Sequence, residues 1–146
     1  MELFMYDDPD LEICTEIYAD AFTAPPLNYG FITKENARRY IESITKTPGF
    51  LGYTCRVEGE TIAFVFGLLD NYFEGMMFEI AELGVASAFQ RRGFGSKIMG
   101  ILEAKLAGYG VSAVNLQTSR NLPAFEFYLK NGYEEVTENV TLMKWL

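Results

Sequence analysis

Residues 79–96, Glu79-Ile80-Ala81-Glu82-Leu83-Gly84-Val85-Ala86-Ser87-Ala88-Phe89-Gln90-Arg91-Arg92-Gly93-Phe94-Gly95-Ser96, leave the chain few choices. A β-rich run from Met77 to Val85 is followed by a short polar loop with two alternate glycines. The spacing of Ile98, Met99, Ile101, Leu102 and Leu106 then predicts an amphipathic helix over Gly95–Leu106. Glycines at 93 and 95 let the backbone turn sharply from strand to helix. The first-turn amides of such a helix have no intrahelical acceptor, and the positive end of its dipole lies beside them. A strand–loop–helix of this kind predicts an anion site that suits a diphosphate. A Walker A loop would need Gly-Lys-Ser/Thr at its end, which is missing, and the dinucleotide fingerprint would need a third glycine where Ile98 stands.

Around this segment the pattern is that of a mixed α/β sheet. Glu2–Tyr6 alternates weakly as a short strand, and Leu11, Cys14, Ile17, Tyr18, Ala21 and Phe22 have helical spacing up to Ala24-Pro25-Pro26. Thr33 is placed to cap a second helix with apolar face Ala37, Tyr40, Ile41 and Ile44, stopped by Pro48-Gly49. Phe50–Val57 and Thr61–Leu69 are strands joined at Glu58-Gly59-Glu60, with Asp70–Gly75 as a connecting loop. Val111–Thr118 predicts a buried strand, and Pro123–Lys130 a short helix stopped by Asn131-Gly132. Val136 and Thr141–Trp145 predict a closing hairpin. No repeat, linker or low-complexity tract interrupts residues 1–146, so a single domain is expected.

Composition removes several classes of function. The chain of 146 residues contains no histidine, which excludes a His-containing zinc site and the Ser-His-Asp and Cys-His nucleophile pairs. Cys14 and Cys55 lie inside a helical and a β run without metal spacing, so no metal is expected. Residues 1–75 carry 13 acidic and 5 basic side chains, while residues 76–146 carry 7 of each. An acidic half of this kind opposes nucleic-acid binding and suits a cationic partner. The neutral half gathers Arg91, Arg92, Lys97 and Arg120 near the glycine-rich turn. Met1-Glu2-Leu3-Phe4 has no basic region before an apolar run, and no apolar stretch approaches membrane-spanning length. A cytoplasmic protein without membrane attachment is the expectation.

Two blocks of the sequence resemble the GNAT N-acetyltransferase superfamily. Gln90, Gly93 and Gly95, following Val85, match its pyrophosphate loop Gln/Arg-x-x-Gly-x-Gly/Ala. Asn121-Leu122-Pro123-Ala124-Phe125-Glu126-Phe127-Tyr128-Leu129-Lys130-Asn131-Gly132-Tyr133 is similar to its N-x-x-A-x-x-F-Y-x-x-x-G-F stretch. One departure is Ser87, where many members carry a loop-stiffening proline. The resemblance implies a mixed, mostly antiparallel sheet with its fourth and fifth strands splayed, flanked by about four helices. It implies acetyl-CoA as co-substrate, with the pantetheine arm paired to the backbone of Leu83, Gly84 and Val85 and the pyrophosphate on the amides of Arg91, Arg92, Gly93, Phe94, Gly95 and Ser96. Arg91 or Arg92 would lie near the adenosine phosphates, and Asn121 would hydrogen-bond the pantetheine. A homodimer through the C-terminal hairpin would be compatible with such a fold.

Acyl transfer to an amine sets two proton tasks. An alkylamine with a pKa of about 10.4 arrives protonated, so a base must take its proton and an acid should meet the leaving thiolate. Without histidine these tasks fall to carboxylates and tyrosines. Glu79, six residues before Val85, matches where several family members carry their base and is the first choice. Glu82 is the second, because alternation sets it on the opposite face unless a bulge intervenes. Tyr128 matches the family tyrosine beside the CoA sulfur and is the expected acid, with the Val85 N–H as oxyanion donor.

The acceptor is less constrained. Tyr29 and Phe31, within Pro25-Pro26-Leu27-Asn28-Tyr29-Gly30-Phe31, fall in the loop that lines the acceptor cleft in the family, with Glu79 beside it. Asp70, Glu74 and the acidic half favour a cationic small molecule such as a polyamine or aminoglycoside. A protein or peptide amine, a non-amine acceptor and a non-catalytic acyl-CoA-binding domain are the alternatives.

Overall fold

A computed structural model describes residues 1–146. The strands are β1 (Glu2–Met5), β2 (Phe50–Val57), β3 (Glu60–Tyr72), β4 (Gly75–Val85) and β5 (Val111–Leu116). The helices are α1 (Leu11–Thr23), α2 (Lys34–Thr45), α3 (Phe94–Gly108) and α4 (Pro123–Lys130). One sheet of order β1-β2-β3-β4-β5 is antiparallel up to β4, and β5 joins β4 in parallel. Capping and turn chemistry set the boundaries. The Thr33 hydroxyl accepts from the Asn36 N–H, and the Asn36 side chain accepts from the Thr33 N–H, a reciprocal box at the start of α2. Glu58 and Gly59 both have positive φ, 51° and 83°, as a two-residue turn matched to strand twist requires.

The sheet is covered on both faces. Cys14, Ile17, Ile41 and Ile44 of α1 and α2 pack on Phe64 and Phe66. On the other face Ile98, Met99, Leu102 and Leu106 of α3 pack with Ile62, Val65, Phe78 and Ile80. Each of these side chains contributes about 1.5–3 kcal/mol on leaving water. No helix is long and apolar enough to cross a membrane.

Two expected elements differ. The loop expected over Asp70–Gly75 is largely strand, because the β3–β4 ladder continues through Asp70↔Met77 to Tyr72↔Gly75 and turns in two residues. The C-terminal hairpin does not form. Asn139 N–H bonds the Val136 carbonyl at 3.2 Å and closes a local turn, and no ladder follows. A hairpin that buries no apolar face is marginal in water, and here Val140, Leu142, Met143 and Trp145 are exposed.

The ladders around β4 shape everything that follows. β4 pairs with β5 only from Met76↔Val111 to Ile80↔Leu116, so Ala81–Val85 continue along β3 with no partner on the other side. This is the expected splay. The β3–β4 register also slips. Glu82 faces Phe66 and Ile80 faces Gly67, which leaves Ala81 as the extra residue of a bulge.

Candidate active site

The bulge at Ala81 changes which side chains meet. In an unbroken strand Glu79 and Glu82 would fall on opposite faces. Here Glu79 lies opposite Leu68 and Glu82 opposite Phe66, two residues on one face of β3, so both glutamates share the side covered by α1 and α2. Gly67 permits the local distortion, since a Cβ there would lie 2.4 Å from the Glu79 carbonyl oxygen and 2.3 Å from the Phe78 ring.

Glu82, half-buried like Glu79, is the carboxylate with a hydrogen-bonding partner. Its Oε1 accepts a 2.6 Å hydrogen bond from the Tyr40 hydroxyl. Burial pushes its acid up to about 6, a rise that the Tyr40 bond partly opposes by favouring the charged form. Tyr18 and Tyr128 also feel its charge. Burial first, and then Glu82, raises the Tyr18 hydroxyl to about 12 and lifts that of Tyr128 well above the usual tyrosine range. Tyr128, on α4, is therefore a buried and protonated phenol within electrostatic reach of Glu82. Glu79 is half-buried, opposite Asn115 on β5, and borders a groove of about 940 Å³ that also takes in Tyr128, Asn115 and Arg120. Tyr128 is common to the two settings.

From Glu82 a row of rings leads outward. Tyr40 lies 5.5 Å from Tyr18, Tyr18 4.5 Å from Phe22, Phe22 6.3 Å from Tyr29 and Tyr29 5.3 Å from Phe31, measured between ring centroids. Phe31 at the outer end is 72% exposed. The sequence points to Tyr29 and Phe31 of this row and marks Tyr18, Phe22 and Tyr40 only as apolar helix positions, although a tyrosine on such a face carries a hydroxyl that needs a partner. Asp70 and Glu74 sit in the exposed hairpin end of β3 and β4 remote from Val85, and neither belongs to the row.

The glycine-rich loop has the geometry of an anion site. Gly93 caps α3 in the left-handed region at φ 80° without a side-chain cap. The first intrahelical bond there, Lys97 N–H to the Gly93 carbonyl at 3.3 Å, leaves the amides of Phe94, Gly95 and Ser96 without intrahelical acceptors. Gln90 turns inward and donates from its side-chain amide to the Val85 carbonyl at 2.9 Å, which ties the loop to the end of β4. Arg91 and Arg92 are exposed, Arg92 lying over the rings of Phe89 and Phe94. Arg120 is instead engaged by Glu135, so it is not among the free cations beside the loop. Gly95 serves packing, because a Cβ there would lie 3.0 Å from the Phe127 ring. Asn121 is exposed just before α4.

The unpaired edge of β4 supplies backbone groups. Ala86 N–H bonds the Ile62 carbonyl at 2.9 Å, so strand alternation turns the N–H and C=O of Val85 and Leu83 away from β3 and into the gap. The side chain at Gly84 must be absent, since a Cβ would lie 2.5 Å from the Phe64 ring. The thiols offer nothing comparable. Cys14 is buried and its thiol is pushed up to about 12 by that burial.

The sequence profile of the acetyltransferase (GNAT) family matches residues 11–133. No curated protein sequence matches the chain significantly. Among solved structures, a possible acetyltransferase from Clostridium difficile superposes with a TM-score of 0.81 at 11% identity, over 99% of this chain and 97% of that one. An aminoglycoside acetyltransferase from an uncultured soil metagenomic sample, in complex with sisomicin, gives 0.71 at 16% identity, over 99% and 95%. AAC(6')-Iy in complex with the bisubstrate analog CoA-S-monomethyl-acetylneamine gives 0.68 at 15% identity, over 99% and 97%. At these identities the likeness is one of fold.

Proposed function

The chain belongs to the GNAT acetyltransferase family, and from that premise we propose that it transfers an acetyl group from acetyl-CoA to the primary amine of a cationic small molecule, with Glu82 as base and Tyr128 as acid. The observation that carries this reading is the bulge at Ala81, which brings Glu82 under Tyr40 at the unpaired edge of β4, where its charge is felt by the Tyr128 hydroxyl.

Acetyl-CoA supplies the thioester that the amine attacks. The free amides of Phe94, Gly95 and Ser96 suit its diphosphate, with Gln90 and Gly93 shaping the loop and Arg91 or Arg92 beside it. The Leu83 N–H and C=O, which face the gap, suit the amide-bearing pantetheine, with Asn121 as a further hydrogen-bonding group; the Val85 C=O is held by Gln90, and the Val85 N–H is available to the acyl oxygen. Glu82 takes a proton from the incoming ammonium, directly or through water. An acid near 6 leaves it ionised at neutral pH, as a general base must be. Tyr128 holds its proton at neutral pH and donates it to the departing thiolate, and the second proton of the attacking nitrogen, lost as the amide forms, restores the phenol.

The aromatic row from Phe31 to Tyr40 favours a cationic acceptor, since ring faces attract ammonium groups at about 0.5–2 kcal/mol each. The aminoglycoside acetyltransferases among the similar folds support a small-molecule amine. Glu79 is the alternative base, on the strength of its place with Tyr128 on the same groove. A panel of polyamines, aminoglycosides and lysine-bearing peptides, read by release of free CoA from acetyl-CoA, tests the reading. Turnover with polyamines or aminoglycosides is expected; turnover confined to peptides or hydroxyl acceptors would contradict it.

A further inference from the structure

We infer that Tyr40 is a positioning residue for Glu82, holding one carboxylate oxygen so that the other remains free to take a proton and so that the charged form persists at neutral pH. This deepens, and rests on, the reading of Glu82 as the base.

The geometry separates the two oxygens. The Tyr40 hydroxyl donates to Oε1 at 2.6 Å, the ordinary length of a hydroxyl–carboxylate bond, and no other protein group hydrogen-bonds the Glu82 side chain. Oε2 is left for the acceptor or a water. The groups facing Glu82 are Tyr18 from α1, Tyr40 from α2, Tyr128 from α4 and Glu79 from its own strand and face, with Phe66 opposite on β3. None is a cation. Burial alone would therefore drive the carboxyl toward its neutral form, and Tyr40 is the neighbour that opposes this.

Tyr40 is itself held in place. Its ring packs 5.5 Å from Tyr18, which packs on Phe22 at 4.5 Å. Its position on α2 follows from the Thr33–Asn36 cap and from Ala37, Ile41 and Ile44, its buried neighbours on the same face of the helix. The Glu82 bond joins α2 to the bulge of β4, elements 42 residues apart in sequence. A phenylalanine would keep the ring contacts and lose only the hydroxyl.

The test is the Tyr40→Phe variant beside Glu82→Gln, with two readouts. The first is the titration of the Glu82 carboxyl by carbon NMR in selectively labelled protein, which needs no substrate. The second is the pH dependence of kcat/KM for an accepted amine. Loss of a hydrogen bond to a charged group should move the Glu82 titration and the acid limb of the rate upward together by about one pH unit, with the alkaline plateau largely kept. A lowered plateau with an unmoved limb and titration would make Tyr40 a packing residue and overturn the inference. If Glu82→Gln keeps the wild-type limb, the reading of the base fails and the inference falls with it. If Glu82→Gln abolishes the limb while Tyr40→Phe leaves it in place, the inference alone fails.

Discussion

The Asp20 carboxylate, near the end of α1, accepts both the backbone N–H of Ser87 at 2.6 Å and its hydroxyl at 2.9 Å. Ser87 opens the turn between β4 and the glycine-rich loop. Rigidity is supplied there by a contact between distant elements. It also links α1, which bears Tyr18 and Phe22, to the loop that suits the diphosphate.

Asp20→Ala should therefore loosen the loop. Hydrogen bonds to a charged acceptor are worth about 1.5–3 kcal/mol when shielded and less when exposed as here, so acetyl-CoA affinity should fall roughly tenfold. Calorimetry measures it. Ser87→Pro in the Asp20→Ala background should recover part of the loss, because proline is accepted at the first position of a helical turn. Unchanged affinity in Asp20→Ala would show that the loop holds its shape unaided.

The anion site is best tested at Ser96. Gly95→Glu would force a Cβ against Phe127 and damage the packing of α3 on α4, so lost binding there would be ambiguous. Ser96 is exposed at the third helical position, where glutamate suits the helix dipole. Ser96→Glu should keep the melting temperature within a degree or two and weaken acetyl-CoA binding by at least about tenfold through like charge. Full affinity in a folded Ser96→Glu protein would remove the diphosphate assignment.

Tyr128→Phe should lower kcat by about 10²–10⁴-fold while acetyl-CoA affinity changes little, since the ring stays and only the proton donor goes. Its packing against Phe127 and Tyr133 is preserved by the substitution. Steady-state kinetics beside calorimetry separates the two quantities. Turnover at the wild-type level would reassign Tyr128 to the core and the proton to water.

Glu82 should cost the fold stability when ionised. Its acid is raised in the folded state to about 6, so folding favours the protonated form. The favourable contribution is fully present below the unfolded value near 4.5 and is lost as pH rises through 6. Glu82→Gln should accordingly be more stable than wild type at pH 8 by about 1–2 kcal/mol, with the advantage gone by pH 4. Urea unfolding at the two pH values measures this. Equal destabilisation at both would mean that the carboxylate is a structural partner of Tyr40.

The sequence made the glycine loop legible because its physics is local. Gln90 and Gly93 act on the turn that contains them, and Thr33 caps α2 through Asn36, three residues on; the partner of Gly95, Phe127, is not local and was not legible. The β4 bulge was not legible, because Ala81 looks like any strand residue until Phe66 and Gly67 fix the register. That register decides whether Glu82 joins Glu79, so the ranking of the two glutamates required the sheet. Tyr18 and Tyr40 were legible as helix faces and silent about their hydroxyls, whose partner is far away in sequence. The C-terminal hairpin failed for the converse reason. Thr141–Trp145 has strand composition, but composition does not provide a face to pack on.

The pH dependence of kcat/KM for Glu82→Gln, set against wild type and Glu79→Gln with the same amine, tests the assignment of the base most directly. With Glu82 as base, the wild-type rate should rise with pH and level off above about 6, where the carboxylate is ionised. Glu82→Gln should be strongly depressed at neutral pH and climb toward the amine's own pKa near ~10, where free amine is supplied by solvent. Glu79→Gln should keep the wild-type shape. A Glu82→Gln profile that follows wild type, with the climb toward ~10 appearing in Glu79→Gln instead, would contradict the assignment and move the base to Glu79.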